Sequence, residues 1–144
     1  KMLAAATEAG LKLRIASAYR SFKTQESLKT SYKITYGTTS ANKFSADQGY
    51  SEHQLGTTVD LTTASSGTLS STFEKTKEFK WLTEHAHEYG FVLSYPKNNK
   101  YYIYEPWHWR FVGAHLATWL YKNKKYLYEI DQREIDEYLL TIFD

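Results

Sequence analysis

The chain has 144 residues and a mass of 16.8 kDa, a length that suits one domain with a hydrophobic core of its own. It contains no cysteine, which excludes disulfides, iron–sulfur clusters, cysteine-ligated zinc and thiol catalysis. Eighteen basic and 16 acidic residues give a net charge of +2, too small to indicate a nucleic-acid partner. No apolar run approaches the roughly 20 residues that a membrane-spanning helix needs.

The first 63 residues predict two helices and two strands. In chain order we expect a helix over residues 2–9, a strand over 11–19, a helix over 23–36, a loop over 38–51 and a strand over 57–62. Gly10 is placed to end the first helix, and Ser21 is placed to cap the second. Gly56 lets the chain bend before the second strand.

The rest of the sequence predicts more helices and strands. In chain order we expect a loop over 64–71, a helix over 72–89, a strand over 91–96, strand segments over 101–105 and 107–113, a helix over 114–121 and a final helix capped by Asp131. Ser71 with Glu74, and Asp131 with Glu134, have the spacing of a capping box. The mixture predicts an α+β fold in which helices flank a small antiparallel sheet.

Two segments hold the residues that could carry chemistry. SEHQLGTTVDL contains His53 and Asp60, and EPWHWRFVG contains Glu105 and His108. Two imidazoles and one carboxylate would supply the three protein ligands of a catalytic zinc, which leaves one position open for water. The second carboxylate could then act as the base that such a water needs. By spacing alone, a chance set of structural histidines explains the pattern equally well.

The other three histidines do not suggest a metal site. His85 and His87 lie two positions apart on a predicted helix, so their side chains point away from each other. His115 stands alone at the start of a helix. We therefore expect ordinary surface or core roles for all three.

Three short motifs resemble those of the zinc D-Ala-D-Ala metallopeptidases. SEHQLGTTVDL matches the pattern SxHxxGxxxD, EPWHWRFVG matches the ExWHxR-type motif, and SAYRSFKTQ resembles the SGYRS segment that precedes both. The motifs run from residue 17 to residue 113 in the order of the family. The chain resembles the D-alanyl-D-alanine carboxypeptidases of vancomycin-resistance systems, and equally the related L,D-carboxypeptidases.

This resemblance implies Zn²⁺ as the cofactor and assigns roles to five residues. His53, Asp60 and His108 become the zinc ligands, and Glu105 becomes the general base. Arg20 falls on the family arginine that helps to hold the substrate or the tetrahedral intermediate. The small antiparallel sheet is then expected to carry the zinc site.

The resemblance also extends to weaker positions. Gln25 and Ser51 fall on polar positions that lie near the bound peptide in relatives, so both are expected to bind substrate. The family often has Ala where this chain has Thr58, and often Pro where it has Gln48. The first departure is expected to alter packing behind Asp60, and the second to alter the loop that enters the site.

The function that the resemblance implies is removal of the C-terminal D-alanine from peptidoglycan stem peptides. One alternative is an endolysin-type endopeptidase that cuts between L-Ala and D-Glu, because it would use the same ligand set. Another is a wall-binding module that keeps zinc without catalysis, although such a module has no need of Glu105. A third is an unrelated aromatic-rich module that binds carbohydrate or nucleic acid, which would make the three motifs a coincidence.

The resemblance carries expectations about context as well. The chain begins at Lys1 without an initiator Met, which favours a single catalytic domain over residues 1–144, excised from a longer exported or membrane-anchored protein. We expect it to act as a monomer on peptidoglycan in the cell envelope, with no nucleic-acid partner and no membrane span of its own.

Overall fold

Alternating strands and amphipathic helices assemble into an α+β fold, as the sequence predicts. The computed structural model describes residues 1–63, 69–100 and 102–143. The helices are α1 (Met2–Glu8), α2 (Phe22–Tyr36), α3 (Thr38–Phe44), α4 (Lys77–His85), α5 (Ala114–Asn123) and α6 (Gln132–Phe143). The strands are β1 (Leu13–Ser17), β2 (Thr58–Thr63), β3 (Phe91–Leu93) and β4 (His108–Phe111). Short 3₁₀ helices cover Glu52–Leu55, Ser71–Lys75 and Ala86–Tyr89.

The four strands form one antiparallel sheet in the order β1-β2-β4-β3. Between the central strands, Asp60 lies opposite His108 and Val59 lies opposite Trp109. Side chains alternate between the two faces of a strand, so the first pair shares one face and the second pair shares the other. None of the described helices is long and apolar enough to cross a bilayer.

The hydrophobic core covers the face that carries Trp109, which is 3% exposed. Its buried members are Met2, Leu61, Phe73, Leu82, Ala86 and Trp109. They come from α1, β2, the 3₁₀ helices around α4, α4 itself and β4, so this side of the sheet is sealed from water. The opposite face is left for polar side chains.

Two of the predicted helix caps are confirmed. The Thr24 amide donates to the Ser21 hydroxyl over 3.1 Å at the start of α2. At the start of α6, the Glu134 amide donates to Asp131 Oδ1 over 3.0 Å, and the Asp131 amide donates to Glu134 Oε2 over 3.1 Å. These reciprocal bonds satisfy amides that have no partner inside the helix.

The prediction of one continuous helix over 72–89 is wrong, because the segment is divided into three short helices. A 3₁₀ helix, α4 and a second 3₁₀ helix follow one another, and the chain is extended at Thr76 (φ −84°, ψ 155°). The Thr76 hydroxyl accepts from the Phe79 amide over 3.1 Å, so a second cap starts a new helix here. The predicted Ser71 cap is also wrong, because the preceding Ser70 accepts the Thr72 amide instead.

Two segments differ from the sequence-based expectation in type. Residues 38–51, expected as a loop, begin with the helix α3. The sequence of α3 is mostly polar and looks like a loop, but the helix packs against α2 and buries Ala41. Residues 102–105 of the predicted strand over 101–105 form no strand. Their amides donate to separate parts of the chain and not to one neighbouring strand: Ile103 donates to the Lys43 carbonyl and Glu105 to the Tyr95 carbonyl. Residue 101 and residues 64–68 of the predicted loop lie outside the described residues.

A buried lysine joins α2 to the segment after α3. Lys29 is 2% exposed, and its ammonium group donates to the Ser45 carbonyl and lies 3.5 Å from Asp47 Oδ1. The exposed Lys33 lies at the same 3.5 Å from Asp47 Oδ1. Because a buried charge needs partners, Lys29 fixes the position of this segment, whereas Lys33 adds only a surface ion pair.

Replacing Lys29 by Met should therefore destabilise the fold by about 1–3 kcal/mol, since the buried Ser45 carbonyl loses its donor. Urea denaturation monitored by circular dichroism measures the free energy of unfolding. The matched variant Lys33→Met should stay within about 0.5 kcal/mol of the unchanged protein. Equal effects of the two substitutions would show that Lys29 carries no special structural role.

Candidate metal centre

Three buried side chains meet on the polar face of the sheet. His53 Nε2 lies 3.2 Å from Asp60 Oδ2, and His108 Nδ1 lies 3.3 Å from Asp60 Oδ1. One potential ligand atom from each residue lies within 4.8 Å of the other two, and all three residues are 3–4% exposed. Across residues 1–63, 69–100 and 102–143, this is the one group of three or more such side chains that could hold a metal ion.

Each side chain is delivered by a different local structure. Asp60 and His108 face each other across the central strands β2 and β4. His53 lies on the 3₁₀ helix that ends at Gly56, whose left-handed conformation (φ 74°, ψ 10°) turns the chain into β2, as predicted. This conformation is unfavourable for a side chain with a Cβ, so Gly56 allows His53 to sit so close to Asp60.

The second ring nitrogen of each histidine has a partner outside the group. His53 Nδ1 donates to the Ala18 carbonyl over 2.7 Å, which leaves Nε2 directed at Asp60. His108 Nε2 donates to Glu52 Oε2 over 2.8 Å, which leaves Nδ1 directed at Asp60. With the outer nitrogens bonded in this way, each inward nitrogen can give its lone pair to a metal once it has released its proton.

The chemistry of the group fits a divalent metal of the zinc type. Burial raises the pKa of Asp60, but the imidazoles of His108 and His53 outweigh it and hold the pKa at about 2. Asp60 Oδ1 is buried and has no hydrogen-bond partner among the described residues. A charged oxygen without a hydrogen bond, beside two inward nitrogens, is the donor set that zinc accepts in a cysteine-free protein.

Glu105 lies at the edge of the same group. A turn from Glu105 to His108, closed by the His108 amide on the Glu105 carbonyl over 3.1 Å, places Glu105 Oε2 3.5 Å from His108 Nδ1. Burial raises the pKa of Glu105 to about 7, against the lowering effect of His108 and with the added repulsion of Asp60. A carboxyl with such a pKa can both accept and release a proton near neutral pH.

Arg20 approaches the group at Asp60. Its Nη2 lies 3.9 Å from Asp60 Oδ2, and its Nη1 donates to Gln25 Oε1 over 2.8 Å. Gln25 is 1% exposed, and its Nε2 donates to the Ala46 carbonyl over 2.8 Å and to the Ser45 hydroxyl over 3.3 Å. Gln25 therefore fixes the guanidinium group in place.

A cavity of about 290 Å³ opens over these side chains. All seven residues predicted from the sequence line it, namely Arg20, Gln25, Ser51, His53, Asp60, Glu105 and His108. Leu28, Tyr32, Phe44 and Ile103 add an apolar wall. The cavity is thus lined by charged as well as apolar side chains, a combination that is common in sites for small ligands.

The two departures from the family pattern lie beside the site. Thr58 is 2% exposed on β2, and its hydroxyl has no hydrogen-bond partner in the described part of the chain. It therefore fills space two residues before Asp60 without a polar contact. Gln48 lies in the turn over residues 48–50, between α3 and Ser51.

Sequence reasoning missed the role of Glu52. This buried carboxylate accepts four hydrogen bonds, from Ser94 Oγ and His108 Nε2 on Oε2, and from Arg110 Nη1 and the Tyr128 hydroxyl on Oε1. Burial raises its pKa, but these donors outweigh it and lower the pKa to about 2. Its position beside His53 in the motif was the one available signal, because its partners lie 42 to 76 residues away.

The comparison with known protein families matches most of the chain. The family model of the D-alanyl-D-alanine carboxypeptidase VanY covers residues 1–114. The Bacillus subtilis (strain 168) protein YodJ is 36% identical over 126 residues, which are 85% of this chain and 46% of YodJ. The chain thus spans less than half the length of this curated relative.

Solved structures show the same fold. The structure of LdcB, an LD-carboxypeptidase described with its basis of peptidoglycan recognition, has a TM-score of 0.80 and 36% identity, and the match covers 88% of this chain and 61% of that one. The vancomycin resistance D,D-pentapeptidase VanY in complex with Zn(II) has a TM-score of 0.75 and 28% identity, with 96% and 77% covered. With the family match over residues 1–114, these likenesses confirm the resemblance seen in the motifs and the α+β fold: the chain belongs to the VanY family of D-alanyl-D-alanine carboxypeptidases.

Proposed function

We propose that this protein is a zinc-dependent carboxypeptidase that removes the C-terminal D-alanine from peptidoglycan stem peptides. The observation that carries the proposal is the buried group of His53, Asp60 and His108 with Glu105 beside it, at the base of a cavity. Family membership supports the reaction class. The VanY structure with Zn(II) supports the choice of metal, and the LdcB structure supports peptidoglycan as the substrate.

His53, Asp60 and His108 would hold the metal through Nε2, a carboxylate oxygen and Nδ1. Zn²⁺ bound there would lower the pKa of a water molecule and polarise the scissile carbonyl. Glu105 would take the proton of the attacking water and pass it to the leaving amine, because its carboxylate lies next to the inward nitrogen of His108. Burial keeps this carboxylate away from bulk water, so its proton stays within the site.

Arg20 would bind the negative charge of the substrate or of the tetrahedral intermediate. Its guanidinium group is held by Gln25 but remains 17% exposed toward the cavity, so part of its planar fork is open to an oxyanion or a carboxylate. Such a charge acts best when it is in place before the reaction begins. Ser51 lines the cavity and would contact the peptide.

The remaining assignments follow from this activity. Gln25 would act on the substrate through Arg20, and its direct contact with the peptide stays a prediction. A substrate in the wall would place the protein in the cell envelope. That residues 1–144 form one domain and that the protein is a monomer also stay predictions.

Glu105→Gln should lower kcat by about 10²–10⁴-fold, because an amide cannot take the proton. Release of D-alanine from a pentapeptide measures the turnover, and atomic absorption on the same sample measures the zinc content, which should stay unchanged. The control Glu84→Gln alters an exposed carboxylate on α4. Unchanged turnover of Glu105→Gln would contradict its role as the base.

Substituting Ala for His53 or Asp60 should lower the zinc bound per protein molecule from one to a small fraction, since two ligands hold zinc poorly. His115→Ala, which removes an exposed imidazole on α5, serves as the control and should bind a full equivalent. A variant that keeps one zinc per chain would remove that residue from the ligand set.

When purified tetrapeptide and pentapeptide stems are incubated with the zinc-loaded protein, at least one of the two should lose a single alanine. Mass spectrometry reads the products. Loss from the pentapeptide alone indicates D,D-specificity, and loss from the tetrapeptide indicates L,D-specificity. An internal cut would instead identify an endopeptidase, and intact stems would contradict a catalytic function.

A further inference from the structure

The carboxylate of Glu52 adjoins the metal group through the outer nitrogen of His108. It is 5% exposed, and one of its oxygens is shared by His108 Nε2 and Ser94 Oγ, each at 2.8 Å. Its other oxygen accepts Arg110 Nη1 at 2.8 Å and the Tyr128 hydroxyl. These four hydrogen bonds together hold the Glu52 carboxylate in a single position.

The orientation of His108 depends on that position. His108 is 4% exposed. To bind a metal beside Asp60, Nδ1 must offer its lone pair to that metal, which requires that Nε2 carries the remaining proton and has an acceptor. Glu52 is that acceptor. A charged acceptor also makes the imidazole a stronger donor of electrons to a metal than a neutral one would.

Tyr128 brings the C-terminal part of the chain into this arrangement. It follows α5, beyond residue 114, where the family match ends. Its ring stacks on Tyr95 with a centroid distance of 6.2 Å and an interplanar angle of 4°, and Tyr95 lies 4.7 Å from the His108 ring. Tyr128 therefore contacts both the carboxylate that orients His108 and the ring that packs on it.

We propose that Glu52 is a positioning residue for His108 and that Tyr128 holds Glu52 in place, so that residues beyond the family match contribute to metal affinity. The inference rests on the zinc site of the proposed function. It concerns how tightly the metal is held, and its test therefore does not require turnover.

The test measures the dissociation constant for zinc, starting from metal-free protein and titrating zinc in competition with a chromophoric chelator. Glu52→Gln should raise this constant by about 10–100-fold. The amide nitrogen of Gln cannot accept a hydrogen bond, so one pair of donors that now bonds to a carboxylate oxygen would lose its acceptor. Tyr128→Phe removes one of four donors and keeps the stacked ring, so a smaller rise of about threefold to tenfold is expected. Tyr126→Phe, an exposed tyrosine two residues earlier, is the matched control and should leave the constant unchanged.

The outcomes separate this inference from the function on which it rests. A folded Glu52→Gln protein with unchanged zinc affinity overturns the role of Glu52, even though the wild-type protein binds zinc. If circular dichroism shows that Glu52→Gln does not fold, Ser94→Ala and Tyr128→Phe decide, and unchanged affinity in both overturns the proposal. Equal values for Tyr128→Phe and Tyr126→Phe overturn the contribution of the C-terminal segment. Absence of zinc binding in the wild-type protein overturns the metal site itself.

Discussion

The pairing of Asp60 with His108 across β2 and β4 is the constraint on which the site depends. A shift of the register by one residue would send Asp60 to the side of the sheet that the core seals and bring Val59 to the polar face. The core guards against that shift, because Trp109 and Leu61 are buried on the opposite side and would have to enter water. The apolar half of the sheet therefore secures the geometry of the polar half.

Burying several ionisable groups in one place carries a desolvation cost that the fold offsets locally. Burial lowers the pKa of His108, but Asp60 and Glu52 reverse this and raise it to about 9. The same environment keeps Asp60 ionised while it pushes the pKa of Glu105 upward. Neighbouring carboxylates thus differ in their readiness to take a proton, as the proposed roles of Asp60 as ligand and Glu105 as base require. Metal binding must displace any proton on the imidazole, so it is coupled to proton release.

The residues named from the sequence as a site lie together in the structure, whereas several of the predicted connections differ. Three motifs identify all seven candidates that line the cavity, because each motif combines particular residue types with fixed short spacings. The helix α3 was missed because its stability comes from contacts of Ala41 and of the buried Lys29, which no local pattern displays. Glu52 was missed for the same reason: an acidic residue next to a predicted loop looks solvent-exposed until four distant donors are assembled around it.

The acceptors behind the two histidines differ in kind, and this difference bears on how the site can evolve. His53 is oriented by the main-chain carbonyl of Ala18, which every substitution at that position would retain. His108 is oriented by the side chain of Glu52, which a single codon change can replace. The orientation of His53 is thus insensitive to substitution at position 18, whereas the orientation of His108 can change by substitution of Glu52. Natural variation in metal affinity among related sequences should accumulate on the His108 side.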